Sequence, residues 1–146
     1  MSGPALPRRA VLAGLALAAV GPGAAPAAVG DALAAALREL GIAPEDVRWG
    51  EGLVLEAPLI AEDGSAVPVR LLAGNPARII HLFAPANRRA LVASFTPGEA
   101  AGRLETGLRI RLARSQTVCA VARRADGSVI GATAEIQVTA GGGCRT

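Results

Sequence analysis

The sequence predicts an all-β chain: an immunoglobulin-like antiparallel β-sandwich with a short N-terminal helix and a flexible C-terminal Gly-Cys arm. Three observations carry this. From Leu53 onward the apolar residues fall into about seven short runs with period-two or continuous patterning, as half-buried and buried strands require. Turn chemistry punctuates them: Asp63-Gly64, Asn75-Pro76, Pro85-Ala86-Asn87, Pro97-Gly98 and Asp126-Gly127. Evenly spaced short strands with dense turn signals read as a sandwich. The third observation is the ending, Gly141-Gly142-Gly143-Cys144-Arg145-Thr146, which follows an alternating stretch, Ala134 to Thr139.

Taken in order, residues 1–27 read as an export signal. Arg8-Arg9 is followed at once by an apolar run from Ala10 to Val20, too short to span a bilayer. Ala25-Pro26-Ala27 suits a signal peptidase. The arginine pair points to the twin-arginine route, which places the mature chain in the periplasm, where disulfides are permitted. A general secretory signal with two incidental arginines is the alternative.

Residues 28–52 read as a helix and a connection. Asp31 to Leu40 forms the helix, with Asp31 as N-cap and Gly41 ending it. Leu33, Leu37 and Leu40 make one apolar stripe, suited to packing on the sheet or on a partner. Ile42 to Gly52 reads as a polar connection. Residues 53–139 are the sandwich. The expected strands are Leu53–Ala57, Val67–Leu72, Arg78–Phe83, Leu91–Phe95, Leu104–Ala113, Val118–Ala122 and Val129–Thr139. Pro68 assigns the second to a sheet edge or to a strand start, because proline has no N–H for the ladder.

Residues 140–146 are the arm. Glycine has no Cβ, so three in a row make a flexible tether. From Val138 to Cys144 an extended chain spans roughly 20 Å at about 3.3 Å per residue. That reach carries a sulfur into another protein's pocket. Arg145 beside Cys144 favours the thiolate, the nucleophilic form, although salt screens the effect at an exposed tail.

Composition excludes several functions. All fifteen basic residues are arginine, and the formal charge is +3. Removing Arg8 and Arg9 with the leader leaves 3 − 2 = +1, too little for a phosphate-binding footprint. With one Trp, two Phe and no Tyr there is no platform for base stacking. His81 is the one histidine, and it alternates with Ile80 and Leu82. Its simplest role is structural. One histidine and two distant cysteines give no metal-ligand spacing, so a metal-binding module built on His81 lacks ligands. Nor does any nucleophile stand marked beside it, so no catalytic residues are assigned. Cys119 lies within Val118-Cys119-Ala120-Val121 and reads as a buried small hydrophobe. A disulfide between Cys119 and Cys144 is the alternative, and it would lock the arm.

Several of these stretches together resemble one family. Ala61-Glu62-Asp63-Gly64-Ser65-Ala66-Val67-Pro68-Val69, the run Arg109 to Val118, Ala120-Val121-Ala122, Asp126-Gly127-Ser128 and the ending Val138 to Cys144 are similar to SoxY, the sulfur-carrier subunit of bacterial thiosulfate oxidation. The resemblance runs from about Asp31 to the end, and the twin-arginine leader fits it. It implies an immunoglobulin-like carrier that is not itself an enzyme and that pairs with a similarly folded SoxZ-like subunit. A SoxAX-like haem enzyme would load thiosulfate oxidatively, giving Cys–S–sulfonate. A SoxB-like hydrolase would remove sulfate and leave a persulfide. Cys144 takes the covalent carrier role, and Gly141, Gly142 and Gly143 take the arm role. No cofactor beyond the covalent sulfur is implied.

The tip departs from the family pattern, which ends Gly-Gly-Cys-Gly-Gly. Here one more glycine precedes the cysteine, and Arg145-Thr146 replaces the trailing glycines. The competing reading is an exported interaction domain, stapled internally through Cys119 and Cys144 or dimerised through Cys144. A partner subunit is expected on physical grounds too, because so apolar a short chain buries only part of its surface alone and leaves strand edges to cover.

Overall fold

The structure, a computed structural model, describes residues 30–74 and 77–139. The helix α1 spans Asp31–Glu39 and is followed by a 3-10 turn at Pro44–Asp46. The strands are β1 (Val47–Trp49), β2 (Leu53–Glu56), β3 (Ile60–Ala61), β4 (Val67–Ala73), β5 (Ala77–Phe83), β6 (Leu91–Phe95), β7 (Leu104–Ile110), β8 (Gln116–Arg124) and β9 (Val129–Val138).

Helix α1 forms where the stripe predicts, but its cap differs. Gly30 is the N-cap and makes no side-chain cap bond, while Asp31 sits in the first turn. There its carboxylate still complements the helix dipole. The C-terminus ends as predicted. Gly41 has φ +71°, and its N–H donates to the Arg38 carbonyl while Ile42 N–H donates to that of Leu37. This is a Schellman ending, and buried Ile42 and Leu37 share one apolar cluster. Leu33 and Leu37 are fully buried, each contributing about 1.5–3 kcal/mol of transfer free energy, which seats the helix. Leu40 is only half-buried.

The helix lies on one face of the larger sheet, whose order is β1-β9-β8-β5-β6, and the other face meets a second sheet, β2-β4-β7. Strand β8 explains the arrangement. Val118, Ala120 and Ala122 point into the core between the sheets, and Cys119 and Val121 point into the cluster under the helix. A strand buried on both faces reads as a continuous apolar run. Strand β4, buried on one face only, alternates. Pro68 sits at the start of β4, beyond the β2 ladder, which stops at the Glu56–Arg70 pair.

All seven expected strands form, Leu91–Phe95 with the expected bounds and the others with shifted ends. The expected Leu104–Ala113 strand stops at Ile110, because Leu112 N–H leaves the ladder and donates to the Gly64 carbonyl at 2.7 Å. Two further strands correct the reading of a purely antiparallel sandwich. β1, inside the expected polar connection, and β3 both pair parallel to β9, at its two ends. The segment Leu53–Ala61 therefore changes sheets. It pairs with β4 as β2, breaks at Ala57-Pro58, and joins β9 as β3. One stretch thus covers edges of both sheets. β1 is admitted by a glycine. A Cβ on Gly131 would lie 2.6 Å from the Trp49 ring, so the buried indole needs the missing side chain.

Candidate functional site

The predicted carrier residues Cys144, Gly141, Gly142, Gly143 and Arg145 lie outside the described residues. What the structure describes is their mount, the end of the sandwich where β9 finishes.

The mount is built from side-chain hydrogen bonds. On one edge of β9, Val138 N–H donates to Ser115 Oγ at 2.8 Å. On the other edge, Gln137 N–H donates to the Leu59 carbonyl at 2.8 Å and Thr139 N–H donates to that of Ala61 at 3.0 Å. Thr139 Oγ1 adds a bond to the Glu62 carbonyl at 3.1 Å. Behind Ser115, Asn87 ties two loops together. Its Nδ2 donates to the Arg111 carbonyl at 2.7 Å, and its Oδ1 accepts from Ala113 N–H at 2.9 Å and from Gln116 Nε2 at 3.1 Å. Gln116 Oε1 in turn accepts from Ala86 N–H at 2.8 Å. Bonded on both sides, the last residues of β9 are fixed at this end of the sandwich.

Sequence reasoning placed Asn87 in a turn and assigned nothing to Ser115, Gln116 or Thr139. The only sequence signal for them is short polar side chains flanking strand ends, which bond neighbouring backbone readily.

The turn below the mount, Asp63-Gly64-Ser65, is closed locally. Ser65 N–H and Oγ both donate to the Asp63 carboxylate, at 2.8 and 2.6 Å. These bonds, led by the Ser65 hydroxyl, hold the Asp63 pKa below its ordinary value. The same end carries the exposed arginines Arg111 and Arg114.

Cys119 is a free thiol, 2 % exposed, and burial pushes its pKa up to about 12. It is chemically inert at neutral pH. It lies opposite Thr133, six residues up β9 from Thr139, or roughly 20 Å along the strand. A staple to Cys144 would require the arm to fold back under the helix and open that cluster. His81 faces the same layer, with Nδ1 2.7 Å from Ser94 Oγ, and desolvation followed by the charge of Arg123 lowers its pKa. It is a partnered structural histidine, as expected. Among the described residues, no group of three or more His, Cys, Asp or Glu side chains is placed to hold a metal ion.

Comparison with known proteins decides the family. The model of the sulfur oxidation protein SoxY matches residues 40–144. The chain belongs to the SoxY family. The sulfur carrier protein SoxY from Chlorobium limicola f thiosulfatophilum is 32% identical, covering 72% of this chain and 93% of the other, with a TM-score of 0.59. A candidate superoxide reductase from Thermotoga maritima shares the fold alone, at 15% identity over 63% of this chain and 93% of the other, with a TM-score of 0.51. No match is found among curated proteins. As a SoxY-family member the chain is a carrier in sulfur oxidation rather than a catalyst, and it associates with other proteins of that system.

Proposed function

We propose that this SoxY-family chain is a periplasmic carrier that holds thiosulfate-derived sulfur covalently on Cys144, at the end of the Gly141-Gly142-Gly143 arm. The observation that carries the reading is that the family match runs through the strand, the mount and the glycines and ends at Cys144. The inert chemistry of Cys119 supports it, because that leaves Cys144 as the thiol suited to the work.

The chemistry balances with partners of the SoxAX-like and SoxB-like kind. The Cys144 thiolate and the sulfane sulfur of thiosulfate join, giving Cys144–S–S–SO3⁻, and two electrons pass to the haem enzyme. Hydrolysis then cleaves the S–S bond to the sulfonate. Water supplies an oxygen, sulfate leaves, a proton is released, and the persulfide stays on Cys144. A tethered intermediate meets each enzyme at high effective concentration and is never released. A SoxZ-like subunit completes the carrier as a heterodimer, and the twin-arginine leader delivers it.

The test is the intact mass of the mature protein under non-reducing conditions, before and after thiosulfate with the loading enzyme. The reading expects a reducible adduct that maps to Cys144 and is absent from Cys144→Ala. A mass that does not change refutes it. The stapled-domain alternative is separated by a thiol count on the native protein, where an unreactive pair would favour the staple.

A further inference from the structure

Three large apolar side chains stand out as exposed among the described residues: Leu59 at 67 %, Ile60 at 61 % and Val54 at 50 %. Two of the three flank the mount. Leu59 accepts from Gln137 N–H, Ile60 lies opposite Gln137, and the next residue, Ala61, lies opposite Val138. The pair is thus fixed beside the last residues of β9.

We propose that Leu59 and Ile60 form the docking patch against which the enzymes that work on Cys144 seat themselves. The proposal rests on the carrier reading above. Its reason is the length of the arm. From Thr139 to Cys144 there are five residues, roughly 17 Å when extended. A reaction site that excludes water from the sulfur lies some depth inside its enzyme. Depth and reach together bring the enzyme's surface flush with the mount. An interface of standard size covers about 800 Å² per partner, so one centred on the arm covers its immediate neighbours.

Two aliphatic side chains there supply the apolar centre of such an interface, and charged residues supply the rim. Arg111, whose charge bears on Asp63, and Arg114 are exposed here against Glu62 and Asp63, the latter already tied to Ser65, while Arg88 and Arg89 lie further off beside Glu39 of the helix. The occupant is therefore an enzyme whose pocket mouth has an apolar spot bordered by acidic groups. Such complementarity sets association rate and its salt dependence.

The experiment uses the mature protein with its partner subunit and compares L59T/I60T with V54T. Threonine keeps the β preference, and substitutions at exposed sites rarely change stability. Val54 is a control of similar exposure on the outer side of β2. Three readouts are taken: kcat/KM for enzymatic loading with thiosulfate, the rate of Cys144 alkylation by iodoacetamide, and partner retention by size exclusion. The expected result is a loading kcat/KM lowered at least tenfold in L59T/I60T, with alkylation and partner retention unchanged and V54T like wild type. Undiminished loading by L59T/I60T overturns the patch and leaves the carrier reading intact. Loss of the partner subunit also overturns it, since the patch would then belong to the permanent interface. Failure of the wild-type protein to load at all refutes the carrier reading and the patch with it.

Discussion

Asp-Gly-Ser occurs twice in this chain, once at each end of the sandwich, and the two copies are used differently. At Asp126-Gly127-Ser128 it makes a hairpin. Ser128 N–H and Oγ donate to Asp126 Oδ1, Gly127 has φ +86°, and Arg124 N–H donates to the Ser128 carbonyl at 2.9 Å. That end is closed by tight backbone turns and by packing of Trp49 over Gly131. At Asp63-Gly64-Ser65 the serine N–H and Oγ again donate to the aspartate, here to Oδ1 and Oδ2, but the Gly64 carbonyl accepts from Leu112 N–H and ties the turn to the loop after β7. The tripeptide specifies a turn; its tertiary partners decide what the turn is for. The end where β9 finishes is stitched by Asn87, Gln116, Ser115 and Thr139. At the opposite end the side-chain tie between distant segments is one long bond, from Arg123 Nη2 to the Gly41 carbonyl at 3.3 Å.

If that contrast is right, the ends respond differently to substitution. The largest effect is expected for Asn87→Ala. It removes three hydrogen bonds to the β7–β8 loop and the first residue of β8, at about 1 kcal/mol each, so urea unfolding should show a loss of about 3 kcal/mol. Asn87→Asp, which keeps the acceptor, should recover part of that. A loss under 1 kcal/mol would mean that the mount does not depend on its stitching. Next is Gly131→Ala at the far end. The added Cβ meets the Trp49 ring, and overpacking of this kind costs about 2 kcal/mol. Trp49 fluorescence should shift, while amide exchange at Val138 and Thr139 stays at the wild-type rate. Third is Ser115→Ala, which leaves Val138 N–H without its acceptor and should cost about 1 kcal/mol. Here exchange at Val138 quickens and that at Arg124 does not.

The smallest effect is on acid stability. Asp63 and Asp126 both have pKa values held below the ordinary 3.8, first by the hydroxyl of the serine two residues on. A carboxylate whose folded pKa is depressed contributes stability that is present above its unfolded value. That contribution is lost as pH falls through the folded one. Asp63→Asn and Asp126→Asn should each flatten the acid limb of the stability–pH curve slightly, and by similar amounts, since both turns are solvent-exposed. A steeper limb in either variant would contradict the assignment.

Much of the fold was legible because period and punctuation agree. Seven strands, the helix and its Gly41 ending follow from them. The features that were not legible depend on contacts distant in sequence. β1 is three residues long and pairs only because Gly131 makes room for Trp49 eighty-two positions earlier (131 − 49). β3 is two residues and exists by its pairing with β9. Asp31 reads as a cap, yet the helix starts one residue sooner on Gly30. The candidate site divides in the same way. Cys144 and its glycines are a local pattern that sequence alone proposes, and they lie outside the described residues. The clamp at the end of β9 was not legible, because Asn87, Ser115 and Thr139 meet only when four loops and strands converge.

The central claim is that Cys144 bears the sulfur. It is tested most directly by isolating the protein from cells oxidising thiosulfate, without reductant, and reading the mass of the peptide that contains Cys144. The account predicts sulfane or sulfonate sulfur on Cys144, removed by dithiothreitol, with Cys119 unmodified. A Cys144 found always bare, or bonded to Cys119, would contradict it.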